Sequence, residues 1–570
     1  ITIRDRDVVL EEAETLELAL FEEMPLWGIP FAVKDNIDVA GMSTTAACPD
    51  FAYTAKEDAF AVKCLREAGA LSIGKTNLDQ FATGLVGMRT PYPAPLNAID
   101  PEVVPGGSSS GSAVAVAQGL VGFSLGTDTA GSGRVPAALN GIVGLKPSLG
   151  ALSNRGIVPA CRTLDCVSIF ALTADDAFEI FKSTAVHDPR DPYSRIFPPF
   201  RRSGLQSQLR VGIPDNKTIR FFGDEVQQRS FGQSIDMLRK QGAAVTEVDF
   251  EPFYAVAELL YDGPWIAERH TVIESLLAAS PDAVHPVTRK VTEAALAFSA
   301  TDTFRAIYRL RELAHGIGAT MAELDLICVP SIPKFFTRTE IERDPVGPNA
   351  QLGTYTNFVN LLDLCALTVP VANREDRRPG SVTLIGSAGR DCTLAALAAS
   401  LQSKTQPPLG AMTWPFPKPA HSVCGPDINE LAVVVVGAHM SGLPLNDELT
   451  QLGARFLRET TTSQNYKLFK LEASPPARPG LVRDAEGSAI AAEVWALPSQ
   501  SVGEFLQGIP APLGIGTIFL DDGSTAHGFL CEAIAVKDSQ EITHFGGWRA
   551  YLATLSSNLQ PDKEHYHETS

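Results

Sequence analysis

Val104–Ala137 reads VPGGSSSGSAVAVAQGLVGFSLGTDTAGSGRVPA. Two glycine-serine clusters, GGSSSGS and TAGSGR, bracket an apolar run. Glycine and serine at this density, taken alone, describe a flexible linker. The run between them does not fit a linker. Ser110–Gly119 has the small residues of a packed helix, and Val121–Thr127 reads as a strand. The segment therefore predicts loop, helix, strand, loop, with two exposed serine loops close together.

The same alternation extends on both sides. Asp58–Gly69 (DAFAVKCLREAG) has helical spacing and ends on glycine, and Ala70–Gly74 is a short buried strand. Arg210–Pro214 reads as a strand. Asp224 can cap a helix that places Phe231, Ile235 and Leu238 on one face and stops at Gly242. Ala243–Phe250, Leu324–Pro333, Leu367–Ala372 and Ser381–Gly386 complete a strand set, closed by a helix over Asp391–Gln402. This pattern predicts an α/β fold with a large central sheet covered by helices on both faces. Residues 1–410 form that domain. Residues 411–430 read as a proline-rich linker, since PPLGAMTWPFPKPAHSVCGPD carries six prolines and no periodicity. Residues 431–560 read as a small α+β domain, with short helices near Glu448–Arg458 and Ser501–Gly508 among the strands. The polar tail, 561–570, is expected to fray.

Composition narrows the function. The 570 residues carry a net charge of −19 and no basic block, which argues against nucleic acid or an anionic membrane as partner. The 9 cysteines are scattered and form no CxxC pair, so they read as reduced, buried thiols and not as a zinc site. No apolar run approaches the length of about 20 residues that spans a bilayer. The sequence begins at Ile1 without Met, so a short N-terminal piece is expected to be missing; no signal peptide is present in what remains.

One motif is refused. Gly69–Thr76, GALSIGKT, matches the P-loop pattern letter by letter. That mechanism needs a strand, then a glycine loop, then a helix. Here Gly69 ends a helix, and the residues between the glycines are themselves strand. The loop at Ser132 is more informative. A serine on a tight turn after a strand can be a nucleophile, with surrounding amides as an oxyanion hole. Glycine-serine turns are also plain turns, and the loop alone favours that. All ten histidines lie at His187 or later, so the nearby candidate base is Lys34, at the end of the apolar run IPFAV. A buried lysine loses charge and becomes a competent base; an isolated one is more often on the surface.

Taken together, PFAVKDN, GKTN, PGGSSSGSA and GTDTAGSGRVPA resemble the amidase signature family over about residues 25–400. The resemblance implies a serine–cis-serine–lysine triad. Ser132 is the nucleophile, Ser108 the bridging serine after a cis peptide bond, and Lys34 the base. Amides of Thr129, Ala130, Gly131 and Ser132 form the oxyanion hole. The family's GGSSGGS has Ser110 in place of a glycine, and its GGS at the nucleophile is Ala130-Gly131-Ser132; neither change removes a reacting atom.

A narrower resemblance, carried by Tyr261–Arg269 (YDGPWIAER), FATGLVG, PACRTLDCVSIF and GAHMSGLPLN, is to the allophanate-hydrolysing members. In them a tyrosine and an arginine eight residues apart hold the substrate carboxylate, matching Tyr261 and Arg269. By itself Arg269 reads as half of a helix-surface salt bridge. His439, read as ending a strand, matches a histidine proposed to act on the first product, in a domain resembling the γ-glutamylcyclotransferase-like fold; alone it is a packed or loop-facing residue. The resemblance implies a small anionic substrate, no metal or organic cofactor, a homodimer, association with a urea carboxylase, a cytoplasmic location and a role in urea or cyanuric acid degradation. The rivals are another amidase of the family, such as a glutamine amidase or the amidase component of a tRNA-dependent amidotransferase, and a non-catalytic binding partner of a carboxylase.

Overall fold

The computed structural model describes residues 2–16, 21, 23–206, 208–417, 425–471 and 475–557. The chain divides into two units. The first comprises Ile1–Arg201 and Arg210–Pro419, the second Arg202–Leu209 and Ala420–Ser570. The eight residues Arg202–Leu209 thus group with the second unit, a crossing that composition along the chain does not reveal.

The first unit is built on one mixed sheet. Its strands, in chain order, are β1 (Thr2–Ile3), β2 (Pro30–Lys34), β3 (Leu71–Thr76), β4 (Phe123–Asp128), β5 (Val143–Lys146), β6 (Cys166–Ala171), β7 (Arg210–Pro214), β8 (Ala244–Val248), β9 (Leu326–Pro330), β10 (Leu364–Val371) and β11 (Gly380–Ser387). Their spatial order is β1-β3-β2-β4-β6-β5-β10-β11-β9-β7-β8. β2 runs parallel to β3 and β4, while β4 meets β6 antiparallel. Phe31 and Phe123 stack across the β2–β4 pair with centroids 5.0 Å apart. β4 and β10 are buried along their whole length, as strands covered on both faces must be. GKT of the refused P-loop match lies inside β3, so its amides belong to the ladder.

The serine-rich helix α1 (Ser110–Ala117) packs on β4 because its side chains are small; its Ser112 hydroxyl is paired, while the buried Ser110 Oγ has no partner among the described residues. Ser112 Oγ donates to the Leu125 carbonyl at 2.9 Å, and Ser124 Oγ donates to the Ser112 carbonyl at 2.8 Å. The helix α2 (Val135–Leu139) follows the second serine loop. Asp224 caps α3 (Glu225–Lys240) by accepting the Gln227 N–H, and Phe231, Ile235 and Leu238 are buried. Between β8 and β9 the chain leaves the sheet for a helical excursion that includes α4 (Glu251–Tyr261), α5 (Ile266–Ala279) and α6 (Ala300–Ala322).

In the second unit five strands are ordered β13-β16-β12-β18-β17: β12 (Glu430–Val435), β13 (Arg455–Thr461), β16 (Ala491–Pro498), β17 (Leu513–Phe519) and β18 (Thr525–Cys531). A smaller sheet holds β14 (Tyr466–Lys470), β15 (Pro479–Arg483) and β19 (Gln540–Glu541). Two expectations fail here. The helix expected near Glu448–Arg458 is only Asn446–Gln451; Gly453 at φ +79° ends it and Arg455 starts a strand. Adjacent Phe456 and Leu457 face two different apolar clusters, so both faces of the strand are apolar here and no polar alternation marks it, and a bulge interrupts the register between Phe456 and Arg458. His439 does not end a strand, because β12 stops at Val435. The expected frayed tail lies outside the described residues, as do 418–424 of the linker. The eight cysteines described form no disulfide among the described residues. No helix among the described residues is long and apolar enough to cross a membrane.

Candidate active site

Lys34 closes β2, and Thr127 and Asp128 close β4. The two strands are parallel neighbours with Val33 opposite Leu125, so their carboxyl ends lie side by side. Sites of α/β sheets form just beyond such ends. Lys34 is fully buried, which removes the surface reading. Its Nζ donates to Ser108 Oγ at 2.8 Å and to Thr127 Oγ1 at 2.8 Å. Asn36 Nδ2 donates to the same Thr127 hydroxyl at 3.3 Å and to the Val158 carbonyl at 3.1 Å. Burial pushes the lysine pKa down to about 7. Asp79, Asp165 and Asp128 oppose the fall, and Arg269 adds to it. At neutral pH a large fraction of Lys34 is therefore uncharged and able to accept a proton.

Both serine loops are buried, against the expectation of exposed ones: Ser108 and Ser110 are 0% exposed and Ser132 2%. The cover comes from far along the chain. Ala130 shares an apolar cluster with Phe253, Tyr355 and Phe358. The Gly107–Ser108 peptide bond is cis. Gly107 has no room for a side chain, since a Cβ there would lie 2.0 Å from Asp79 Oδ2. The Asp79 N–H donates to the Ser108 carbonyl at 3.0 Å, and its carboxylate accepts the N–H groups of Gly87 and Arg89 at 2.9 and 2.8 Å.

The second loop is shaped by an ion pair. Asp128 and Arg134 are both fully buried and 2.8 Å apart. Asp128 also accepts the N–H of Gly131 at 2.8 Å and of Gly133 at 3.0 Å, so one carboxylate gathers both glycines flanking Ser132. Burial works to raise that carboxyl, but Arg134 and the Gly133 N–H hold it below its ordinary value. Gly131 adopts φ +126°, and a Cβ there would meet Thr356 Oγ1 at 2.3 Å. Thr356 Oγ1 donates to the Ala130 carbonyl at 2.7 Å. Of the four amides expected in an oxyanion hole, that of Gly131 is thus engaged by Asp128. Those of Ala130 and Ser132 have no acceptor among the described residues, and neither does the Ser132 hydroxyl. Thr129 Oγ1 donates to Asp165.

Tyr261 ends α4 and Arg269 sits in the first turn of α5. Arg269 Nη2 reaches the Tyr261 hydroxyl at 3.4 Å, and its Nη1 donates to Thr83 Oγ1 at 3.1 Å. Arg269 is 2% exposed, forms no ion pair among the described residues, and its Nε has no partner. It is not part of a surface salt bridge. Glu268 beside it takes the outward position and accepts the Thr163 N–H at 2.9 Å. His439 belongs to the other unit. Its Nε2 lies 3.0 Å from Glu448 Oε2, and its ring stacks on Phe529 at 5.0 Å.

The motifs contained more than reading them as a triad extracts. Asn36 stands inside PFAVKDN, and Thr127, Asp128 and Arg134 stand inside GTDTAGSGRVPA. Their presence was visible; their pairing needed coordinates. Asp79 and Thr83, in NLDQFATG, had no readable signal beyond lying in the same run.

Residues 4–395 match the family described as Amidase. The chain belongs to the amidase family. Residues 431–553 of this amidase match the allophanate hydrolase C-terminal domain. A urea amidolyase of Saccharomyces cerevisiae is 43% identical over 559 residues, covering 95% of this chain and 30% of the relative. The solved allophanate hydrolase of Kluyveromyces lactis is 40% identical, with a TM-score of 0.79, covering 97% of this amidase and 93% of that chain. The solved peptide amidase of Stenotrophomonas maltophilia is 27% identical, with a TM-score of 0.60, covering 71% of this chain and 89% of that one. The amidase spans 30% of the length of the curated urea amidolyases it matches.

Proposed function

We propose that this amidase hydrolyses allophanate, a urea carrying a carboxylate on one nitrogen. The observation that carries the reading is Arg269, a buried guanidinium with no carboxylate partner among the described residues and an unpartnered Nε. A buried, unpaired charge is costly and calls for an anion. Arg269 with Tyr261 grips the substrate carboxylate and presents the far carboxamide to Ser132. Neutral Lys34 draws a proton from Ser108, which draws one from Ser132 as its Oγ attacks the carbonyl carbon. The tetrahedral oxyanion is held by amides of the 129–132 loop. With Gly131 donating to Asp128, the reading narrows to Thr129, Ala130 and Ser132.

Collapse returns the proton to the leaving nitrogen and releases ammonia. Water then frees N-carboxycarbamate from Ser132. One of its two carbon–nitrogen bonds breaks, carbon dioxide leaves and the nitrogen takes a proton, giving carbamate; the carbamate loses its carbon dioxide and takes a proton in the same way, so that with the first ammonia the total is two ammonia and two carbon dioxide. We assign His439 to this later stage. The similarity to urea amidolyases and to a solved allophanate hydrolase over nearly the whole chain supports the reading. It also supports a setting beside a urea carboxylase; we propose in addition that the chain works as a homodimer in the cytoplasm. We keep 1–410 as the catalytic domain, 411–430 as linker and 431–560 as the small domain, amended by Arg202–Leu209.

The test is ammonia release from a panel of allophanate, biuret, malonamate, urea and glutamine. Allophanate is expected to lead in kcat/KM. Preference for glutamine, or for an uncharged amide, overturns the assignment.

A further inference from the structure

Asp165 stands outside the reacting groups but is tied to both ends of the site. β4 and β6 pair antiparallel with Asp128 opposite Cys166. One residue beyond that pair, Thr129 of the second serine loop meets Asp165, and its hydroxyl donates to Asp165 Oδ1. Asp165 is 5% exposed and forms no ion pair among the described residues. Its carboxylate accepts N–H groups instead, from Ala160 at 2.8 Å and from Cys161 at 3.1 Å. Burial pushes its pKa up, and the Thr129 hydroxyl, these two amides and Arg269 pull against the rise. A buried carboxylate without a cation is costly to keep. Here it joins the serine loop to the turn 160–165. That turn grips α5. Cys161 Sγ donates to the Trp265 carbonyl at 3.6 Å, and Glu268 accepts the Thr163 N–H at 2.9 Å and the Thr163 hydroxyl at 2.5 Å. Trp265 is the N-cap of α5, and Glu268 precedes Arg269 in its first turn. Asn360 adds a second tie, donating from Nδ2 to the Asp128 carbonyl at 2.9 Å and to the Leu164 carbonyl at 2.8 Å.

We propose that Asp165 is a positioning residue that fixes the span from Ser132 to Arg269 and so sets the length of anionic amide the site accepts. The proposal rests on the reading above in which Arg269 holds the substrate carboxylate. One atom separates carboxylate from carboxamide in allophanate, so a rigid span suits that length and no other. A misplacement of about 1 Å costs about 100-fold in rate. Loosening the joint at Asp165 therefore costs the matched substrate more than a longer one, which the rigid site already holds out of place.

The probes are malonamate, with a methylene where allophanate has its N–H, and succinamate, one methylene longer. The full chain should favour malonamate in kcat/KM by about 100-fold or more. Thr129→Val keeps the side-chain shape and removes the donor to Asp165; Asp165→Asn removes the charge and one acceptor oxygen. Each should cut the preference to about tenfold or less, through slower turnover of malonamate. Thr129→Ser restores the hydroxyl and should restore the preference. A defect of folding alone lowers both substrates by one factor and leaves their ratio where it was. A ratio unchanged in Thr129→Val and Asp165→Asn therefore overturns the proposal, whatever happens to the absolute rates, and if Asp165→Asn does not fold, the two Thr129 variants decide. A preference that survives the variants overturns the role of Asp165 alone. Failure of the unaltered chain to favour malonamate overturns it together with the carboxylate reading of Arg269.

Discussion

Lys34 owes its chemistry to its surroundings. The ordinary value of 10.5 falls to about 7 mainly through burial. Because the base must be neutral, kcat/KM should rise with pH through about 7 and level off above it. A profile flat from acid to alkaline pH would remove Lys34 as the base. Linkage has the same sign for stability. The folded value lies below the unfolded one, so the burial penalty is fully present below about 7 and is relieved as pH rises toward 10.5. Lys34→Ala should lower kcat by about 10²–10⁴-fold, the range of a lost general base. Ser132→Ala should abolish acyl transfer yet change stability by less than about 1 kcal/mol, because its hydroxyl has no protein partner among the described residues to be orphaned. A large loss of thermal stability in that variant would mean the loop depends on the hydroxyl. Arg269→Met should raise KM for an anionic amide far more than it lowers kcat; an unchanged KM would separate Arg269 from the carboxylate.

Strand ends and loops convert these residues into a site. The ends of β2 and β4 place Lys34 and Thr127 within hydrogen-bonding distance, and the loop after β4 is held by Asp128 and Arg134. Arg134→Met leaves Asp128 buried without its guanidinium, a defect of about 3–5 kcal/mol. The expected result is a lower denaturation midpoint together with lost activity. A midpoint matching the unaltered protein would show that the pair does not brace the loop. Most of these elements were legible locally. The Asp224 cap, the small-residue helix α1 and the strand β4 follow from side-chain size and period. The Glu448–Arg458 segment was not, because both faces of its strand are apolar and its bulge depends on the strand opposite.

At the level of the molecule, every candidate for the first chemistry, from Lys34 to Arg269, belongs to the first unit, and His439 to the second. A chain ended at Pro419 should retain first-ammonia release within about tenfold of the full protein if remote packing adds little more than 1.4 kcal/mol to the barrier. Stopped-flow ammonia detection on purified, folded fragment decides it, and complete loss would mean that the second unit supports the first. The division also shows a limit of reading in chain order, since Arg202–Leu209 leaves the first unit for the second and returns. The sequence by itself determined the α/β class, most strands, the two serine loops, the lysine and the family, because these depend on local period and on motifs contiguous in the chain. Only the tertiary structure decided that the serine loops are buried, that Lys34 is near neutral, that Asp128 binds Gly131 and that Arg269 points inward unpaired. Desolvation is set largely by residues far apart in the chain, such as Thr356, whose hydroxyl donates to the Ala130 carbonyl, and even the short-range pairing of Asp128 with Gly131 depends on the loop that the fold imposes, so no local pattern encodes them.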